Sequence, residues 1–222
     1  MRILSIDSSL GTQLAVVDAA PSAAGVRALQ VLSQDEQADT RRHAESLGQM
    51  LSQALSAPEA AERPLDAVVA ATGPAPFTGL RAGLVTAGVV GRTRGVPVHG
   101  VSSLDAVARR ALDELGSHEG QAGPVVLVAT DARRREVYTA LFRANGPDDV
   151  TRLTEIIVCP PAQVAQRLAE QAPGPGGGSG GIDVVAGSGA SLYPELAEMA
   201  SYQKALAPVS GDALTQVRIA LA

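Results

Sequence analysis

"ILSIDSSLGTQLAVVD" (Ile3–Asp18) opens the chain with two short aliphatic runs, Ile3–Asp7 and Thr12–Asp18, joined by the turn Ser8–Gly11. Apolar runs of that length around a Ser/Gly turn predict a β-hairpin, with Asp7 at the end of its first strand. The same grammar returns later. "GPVVLVATD" (Gly123–Asp131) and "EVYTALFR" (Glu136–Arg143) flank another tight turn, and Asp131 stands where Asp7 stood.

The flanking segments repeat in the same order. In the first half, "VRALQVLSQ" (Val26–Gln34) predicts a third strand. Arg41 to Leu55 places Ala44, Leu47, Leu51 and Leu55 at helical spacing, with Thr40 as cap. "LDAVVAA" (Leu65–Ala71) reads as a strand buried on both faces. In the second half, Arg152–Val158 predicts a strand, Pro161–Gln171 a helix and Ile182–Ala190 a buried strand. The first half continues into a helix from Thr78 or Gly79, a strand at Val96–His99 and a helix over Ser102–Leu115. Duplication of a strand-strand-strand-helix-strand unit accounts for this order. The boundary is placed between an N-terminal lobe, 1–118, and a smaller C-terminal lobe, 119–222. "PGPGGGSGG" (173–181) reads as a flexible surface insertion in the latter.

Composition narrows the function classes. A net charge of −5 argues against a stand-alone nucleic-acid binder, and Lys204 is the sole lysine among many arginines. The single cysteine, Cys159, precludes an internal disulfide framework, and a buried, unreactive thiol is expected. Asp7 arrives too early for a signal peptide and no apolar run suffices to span a bilayer, so a cytoplasmic location without membrane contact is expected.

"ATGPAPFTGLRAGLVTAGVVG" (Ala71–Gly91) reads as a strand end, a Gly/Pro loop and a helix. No Lys-Ser/Thr pair follows the glycines, which excludes a Walker A loop. Within the helix Gly79, Gly83, Ala87 and Gly91 recur every fourth residue, a sparsely decorated stripe that lets another backbone approach closely. Two readings stand side by side: the stripe packs inside the chain's own lobe, or it receives a partner. The helix is apolar nearly all round and is expected to be buried on several sides.

Taken together, "ILSIDSS" (Ile3–Ser9), "RRHAESL" (Arg41–Leu47), "TGPAPFTGLRAGL" (Thr72–Leu84), "GVPVHGVSSLDAVA" (Gly95–Ala108) and "DARRREVY" (Asp131–Tyr138) resemble the TsaB (YeaZ) family of the actin/Hsp70/sugar-kinase superfamily. Ala75 and Pro76 depart from that family's usual Gly-Ser, and Pro76 removes an amide donor. The resemblance implies an α/β fold of duplicated actin/Hsp70-like (ribonuclease H-like) βββαβ units in two lobes, the second reduced. It implies a non-catalytic subunit of the complex that forms N6-threonylcarbamoyladenosine at position 37 of tRNAs reading codons that start with A. The implied partners are a TsaD-like catalytic subunit and a TsaE-like ATPase, with a homodimer when the chain is alone and tRNA met only through the complex. The implied partner face comprises His43, Leu47, Met50, Leu51, Gly79, Ala82, Gly83, Thr86, Ala87 and Val90.

The resemblance also raises chemistry. The catalytic relative bears a His-x-x-x-His metal pair where this chain has Ser103 and Val107, so no metal and no catalytic residue are expected here. In superfamily kinases the two hairpin turns embrace ATP. Asp7, Ser8, Ser9, Thr12, Asp131, Gly187 and Gly189 are therefore the candidates for a residual nucleotide site, with ATP and magnesium expected only in the assembled complex. The competing reading of these residues is inherited scaffold. The alternative for the whole protein is an ATP-binding phosphotransferase or ATPase, and a homodimeric binding module of unassigned ligand is a third.

Overall fold

Alternation along the first strand sends its side chains into two different cores. In β1 (Arg2–Asp7), Leu4 and Ile6 pack into one cluster and Ile3 into another. The computed structural model describes residues 1–20, 28–38, 43–116, 123–171, 181–201, 205–206 and 211–222. The expected cap Thr40, the pair Arg41–Arg42 and most of the Gly-rich segment 173–181 lie outside the described residues.

β1 pairs antiparallel with β2 (Thr12–Ala20), which pairs antiparallel with β3 (Ala28–Gln37). α1 (His43–Ser56) and the short α2 (Pro58–Ala61) lead to β4 (Ala67–Ala71), parallel to β1. α3 (Phe77–Arg94) then crosses to β5 (Val98–Val101), parallel to β4. The sheet order is β3-β2-β1-β4-β5. On one face Leu47, Met50 and Ala54 of α1 and Ala87 and Val90 of α3 cover Leu4, Ile6, Leu14, Val16, Val68 and Ala70. Each fully buried aliphatic side chain here contributes about 1.5–3 kcal/mol.

After α4 (Ser103–Leu115) the plan starts again. β6 (Val126–Arg133) and β7 (Glu136–Asn145) form the second hairpin, with β8 (Asp149–Arg152) and β9 (Ile157–Cys159) both against β7. α5 (Val164–Gln171) and β10 (Val184–Ala186) follow, the latter parallel to β6. Then come α6 (Ser188–Leu192), α7 (Pro194–Ala197), the two-residue β11 (Ala205–Leu206) and α8 (Ala213–Leu221). The strand path β8-β7-β6-β10-β11 repeats the first sheet. Where the first copy has the 18-residue α3, the second has only α6 and α7, five and four residues long. The duplicated α/β plan with a reduced second copy is therefore present.

Three details differ from expectation. Ile182–Ala190 is strand only at Val184–Ala186, because Gly187 turns the chain at φ 106° and Ser188 already begins α6. Arg152–Val158 is not one strand. The chain leaves the ladder between β8 and β9, and Leu141 N–H there donates to Thr154 Oγ1 at 3.0 Å instead of to a backbone carbonyl. Packing also divides the chain into Met1–Ser103 with Asp212–Ala222, and Leu104–Gly211, rather than at 118/119. The reason is the apolar face of α4: Leu104, Val107, Ala108, Ala111 and Leu112 join Val126, Val128 and Phe142. α8 belongs with the first unit because Ala213 and Val217 cover Ile3, Val17 and Val69. Asp212 caps it, accepting from Thr215 N–H at 2.6 Å.

Candidate functional site

The helix with the small-residue stripe is α3. Pro76 precedes it with extended ψ, and Gly95 ends it at φ 67°, donating its N–H to the Gly91 carbonyl. Gly79, Gly83, Ala87 and Gly91 are buried. A Cβ on Gly83 would collide with the Ser8 side chain and approach Ile6 Cγ2 to 3.5 Å, while one on Gly91 would meet Val98. The stripe thus lets α3 lie against β1 and β5 of its own sheet, and of the two readings the internal one describes the molecule.

Residues two positions away lie about 200° around a helix, on the opposite side. That side carries Phe77, Arg81, Val85 and Val89, with Leu84 alongside. Phe77 is 72% exposed, Val85 59%, Val89 55% and Leu84 37%. α3 is therefore not buried all round. Arg81 stacks its guanidinium 5.2 Å from the Phe77 ring centroid. An open groove runs between Phe77, Thr78, Arg81, Ala82 and Val85. The helix holds Arg81, Arg92 and Arg94 and no acidic residue.

Most of the expected partner positions sit elsewhere than at this surface. Leu47, Met50, Ala87 and Val90 belong to the core, and Gly79 and Gly83 are buried on the sheet-facing side of α3. Leu51, Ala82 and Thr86 are half-buried, and the His43 side chain is outside the description. Leu47, Met50, Ala87 and Val90 must fill the space over the sheet, so they are spent on this lobe. The exposed stripe Phe77, Arg81, Val85 and Val89 has the same four-residue period as the glycines, so spacing alone does not tell the two phases apart.

Asp7, Ser8, Ser9 and Thr12 stand at the first hairpin turn, in a largely sealed setting. Asp7, Ser8 and Thr12 are buried. Asp7 Oδ1 accepts from Ser9 N–H at 2.7 Å, and Oδ2 accepts from Gln216 Nε2 of α8 at 2.7 Å. Burial pushes the Asp7 carboxyl above its ordinary range and the nearby Asp212 adds to this, against the bonds from Ser9 and Gln216. Because the folded state holds the proton more tightly than the unfolded chain, this group's stabilisation is greatest at acid pH and is lost as pH rises through its raised value. Asp18 and Asp66 behave oppositely. The side-chain bond from Arg2 to Asp18 and the backbone N–H of Arg2 to Asp66, each helped by Arg63, hold those carboxyls low, so their contribution fades only below the ordinary carboxylate range. The wild type is expected to gain melting temperature from this group as pH falls towards the ordinary carboxylate range, and Asp7→Asn is expected to flatten that gain. An unchanged profile in a pH series of thermal melts would contradict this assignment.

In the second unit, Asp131 N–H donates to Ser188 Oγ at 3.0 Å, and Gly187 and Gly189 lie buried against the Ala129 carbonyl. A Cβ at Gly189 would stand 2.9 Å from that oxygen, and Gly187 has φ 106°. These glycines are needed for close approach of the β10–α6 loop to β6. The turn after Asp131 holds Arg133, Arg134 and Arg135 at φ 66°, 55° and 63°. Such angles cost a side-chain-bearing residue about 1–2 kcal/mol each, and two-residue hairpin turns of this hand favour Asn-Gly. Arg134→Asn with Arg135→Gly is expected to stabilise the chain by a net ~1 kcal/mol after the entropy lost by glycine, checked by urea unfolding.

Ser103 and Val107, the positions set above against a His-x-x-x-His pair, are 3% and 1% exposed, and Val107 packs among apolar neighbours. Val107 offers no donor atom, so these two positions do not fit a metal ion. Among the described residues, no three His, Cys, Asp or Glu side chains come together. Cys159 is buried, which pushes its thiol up. No described helix is long and apolar enough to cross a membrane.

Comparison with known proteins supplies a context for this geometry. A family model described as "TsaD: tRNA N6-adenosine threonylcarbamoyltransferase" matches residues 28–210. An uncharacterized protein of Mycobacterium tuberculosis is 41% identical over 146 residues, 62% of this chain and 64% of that protein. One of Mycobacterium leprae is 46% identical over 105 residues, 47% of this chain and 26% of that protein. The chain thus spans less than two thirds of the length of these relatives. Among solved structures, a Pseudomonas aeruginosa protein described as similar to peptidase YeaZ superposes with a TM-score of 0.74 at 23% identity, covering 99% of this chain and 89% of its own. YeaZ from the same organism gives 0.70 at 22% identity, covering 98% and 89%. At these identities the two structures bear on the fold.

Proposed function

Because this chain belongs to the TsaD (tRNA N6-adenosine threonylcarbamoyltransferase) family, we propose that it is the TsaB-type member of the threonylcarbamoyl-adenosine complex, a non-catalytic subunit that binds and activates a TsaD-type catalytic subunit. The observation that carries this reading is the outward face of α3. Phe77, Leu84, Val85 and Val89 stand exposed on one helix whose opposite side is already packed on the sheet. Contiguous apolar surface of this kind marks a partner site. The YeaZ-like fold supports the same branch of the family. Ser103 and Val107 support a chain without its own metal chemistry, and the engagement of Asp7 by Gln216 supports the scaffold reading of the first turn.

Charge supports a foreign partner over a second copy. The charged residues of α3 are all arginines, so self-association through this helix brings two acid-free helices together, whereas a partner with carboxylates at its rim complements Arg81 and Arg92. The homodimer is thus expected to be the weaker assembly. A TsaE-type ATPase, ATP with magnesium, and tRNA enter through the complex.

The test is to mix the purified chain with the TsaD-type subunit of the same organism and measure the mass of the assembly and its ATP turnover. A heteromeric complex, with little hydrolysis by the chain alone, is expected. Absence of a complex together with brisk turnover by the isolated chain would overturn the reading in favour of a superfamily ATPase or phosphotransferase.

A further inference from the structure

We propose that the β6–β7 hairpin tip is an RNA-contact site, with Arg134 and Arg135 meeting phosphates of the tRNA backbone; this rests on the function proposed above. The tip exposes Arg133, Arg134 and Arg135 in succession. Arg133 is occupied: its guanidinium pairs with Asp131 at 3.2 Å, and its N–H donates to the same carboxylate at 2.9 Å. Arg134 and Arg135 have no acidic partner among the described residues.

Nothing inside the fold calls for arginine at these positions. The turn needs positive φ, which Asn and Gly adopt with little cost, yet three long side chains are held there. Backbone conformations of this kind persist where the surroundings enforce them, and they gather at sites that bind something. The surroundings here are firm. β6 and β7 pair from Val126–Phe142 out to Arg133–Glu136, with a bulge between Asp131 and Arg133. Val137 and Ala140 are buried at the base, and Ser188 accepts the Asp131 N–H. Two adjacent guanidinium forks on a stiff projection suit phosphate oxygens, which they grip in bidentate fashion. In a chain of net charge −5 such a tip supplies local positioning contacts rather than a broad basic groove.

The experiment uses Arg134→Asn/Arg135→Gly in the full chain, assembled with the TsaD-type and TsaE-type subunits, and follows tRNA binding against salt concentration. Six to ten phosphate contacts make affinity fall by about 10³–10⁵ between 50 and 200 mM salt, so two contacts carry roughly tenfold of that fall. The variant is expected to bind tRNA more weakly at low salt, with a salt slope shallower by ~2, so that its deficit against the wild type shrinks roughly tenfold between those two salt concentrations. Its free form is expected to melt at a higher temperature, and its co-elution with the TsaD-type subunit to stay unchanged. Arg134→Lys/Arg135→Lys is expected to retain the slope. Unchanged tRNA affinity and slope in an intact complex overturns the proposal. So does a loss of ATP binding with tRNA binding intact, which assigns the tip to a nucleotide. Failure of the wild-type chain to co-elute overturns the subunit reading and this proposal with it, and is read before any RNA is added.

Discussion

Val85→Asp is expected to weaken the complex with the TsaD-type subunit severely while leaving the free chain folded. Val85 lies in the middle of the outward face of α3, is 59% exposed, and lines the groove beside Phe77 and Arg81. Within this chain the substitution removes little, because exposed positions of this kind change stability by about ±0.5 kcal/mol. At an apolar interface it buries a carboxylate without a designated partner, and central interface positions are worth ~2–4 kcal/mol. The affinity should therefore fall by roughly 30- to 1,000-fold, at 1.4 kcal/mol per factor of ten. Titration calorimetry with the TsaD-type subunit reads the loss, and a melt of the free chain shows that folding is retained. An undiminished affinity would move the partner site away from α3.

Gly83→Leu is expected to act the other way, on folding rather than on binding. The new Cβ meets the Ser8 side chain and comes within 3.5 Å of Ile6 Cγ2, with the rest of the leucine forced into the same seam between α3 and β1. Overpacking of this sort costs ~1–3 kcal/mol, and a clash against a strand end belongs near the top of that range. For a chain of this size that is a fall of about 6–12 °C in melting temperature. Gly88→Leu is the control: a Cβ there meets nothing within 4 Å, and the position is exposed. It should leave folding intact, aided by the better helix propensity of leucine. Equal stability of the two variants would show that the Gly83 seam has room.

These two substitutions, two residues apart in sequence on one helix, separate what was legible from what was not. The period-four pattern of small residues was visible in "TGLRAGLVTAGVVG" (Thr78–Gly91), and so was the helix. The phase that faces the sheet was not, because a spacing of four fits Phe77, Arg81, Val85 and Val89 as well as the glycines. Hydrophobic content alone suggested burial on all sides. α8 was not anticipated, and its Gln216 reaches Asp7 from 209 residues away, a contact no local pattern encodes. The break between β8 and β9 depended on one hydroxyl, Thr154 Oγ1, taking the Leu141 N–H, which strand propensity does not anticipate.

The duplicated order of strands and helices, both hairpins with their aspartates, and the absence of a donor at Val107 are all written in the residue order. Those follow from short-range alternation, turn residues and side-chain chemistry, which are properties of neighbours along the chain. Which side of α3 is sealed, the packing of α4 in the second unit and of α8 in the first, and the enclosure of Asp7 emerge in the packed molecule. Burial depends on what lies opposite a residue in space, and the atoms opposite Gly83, Leu104 and Asp7 come from distant parts of the chain.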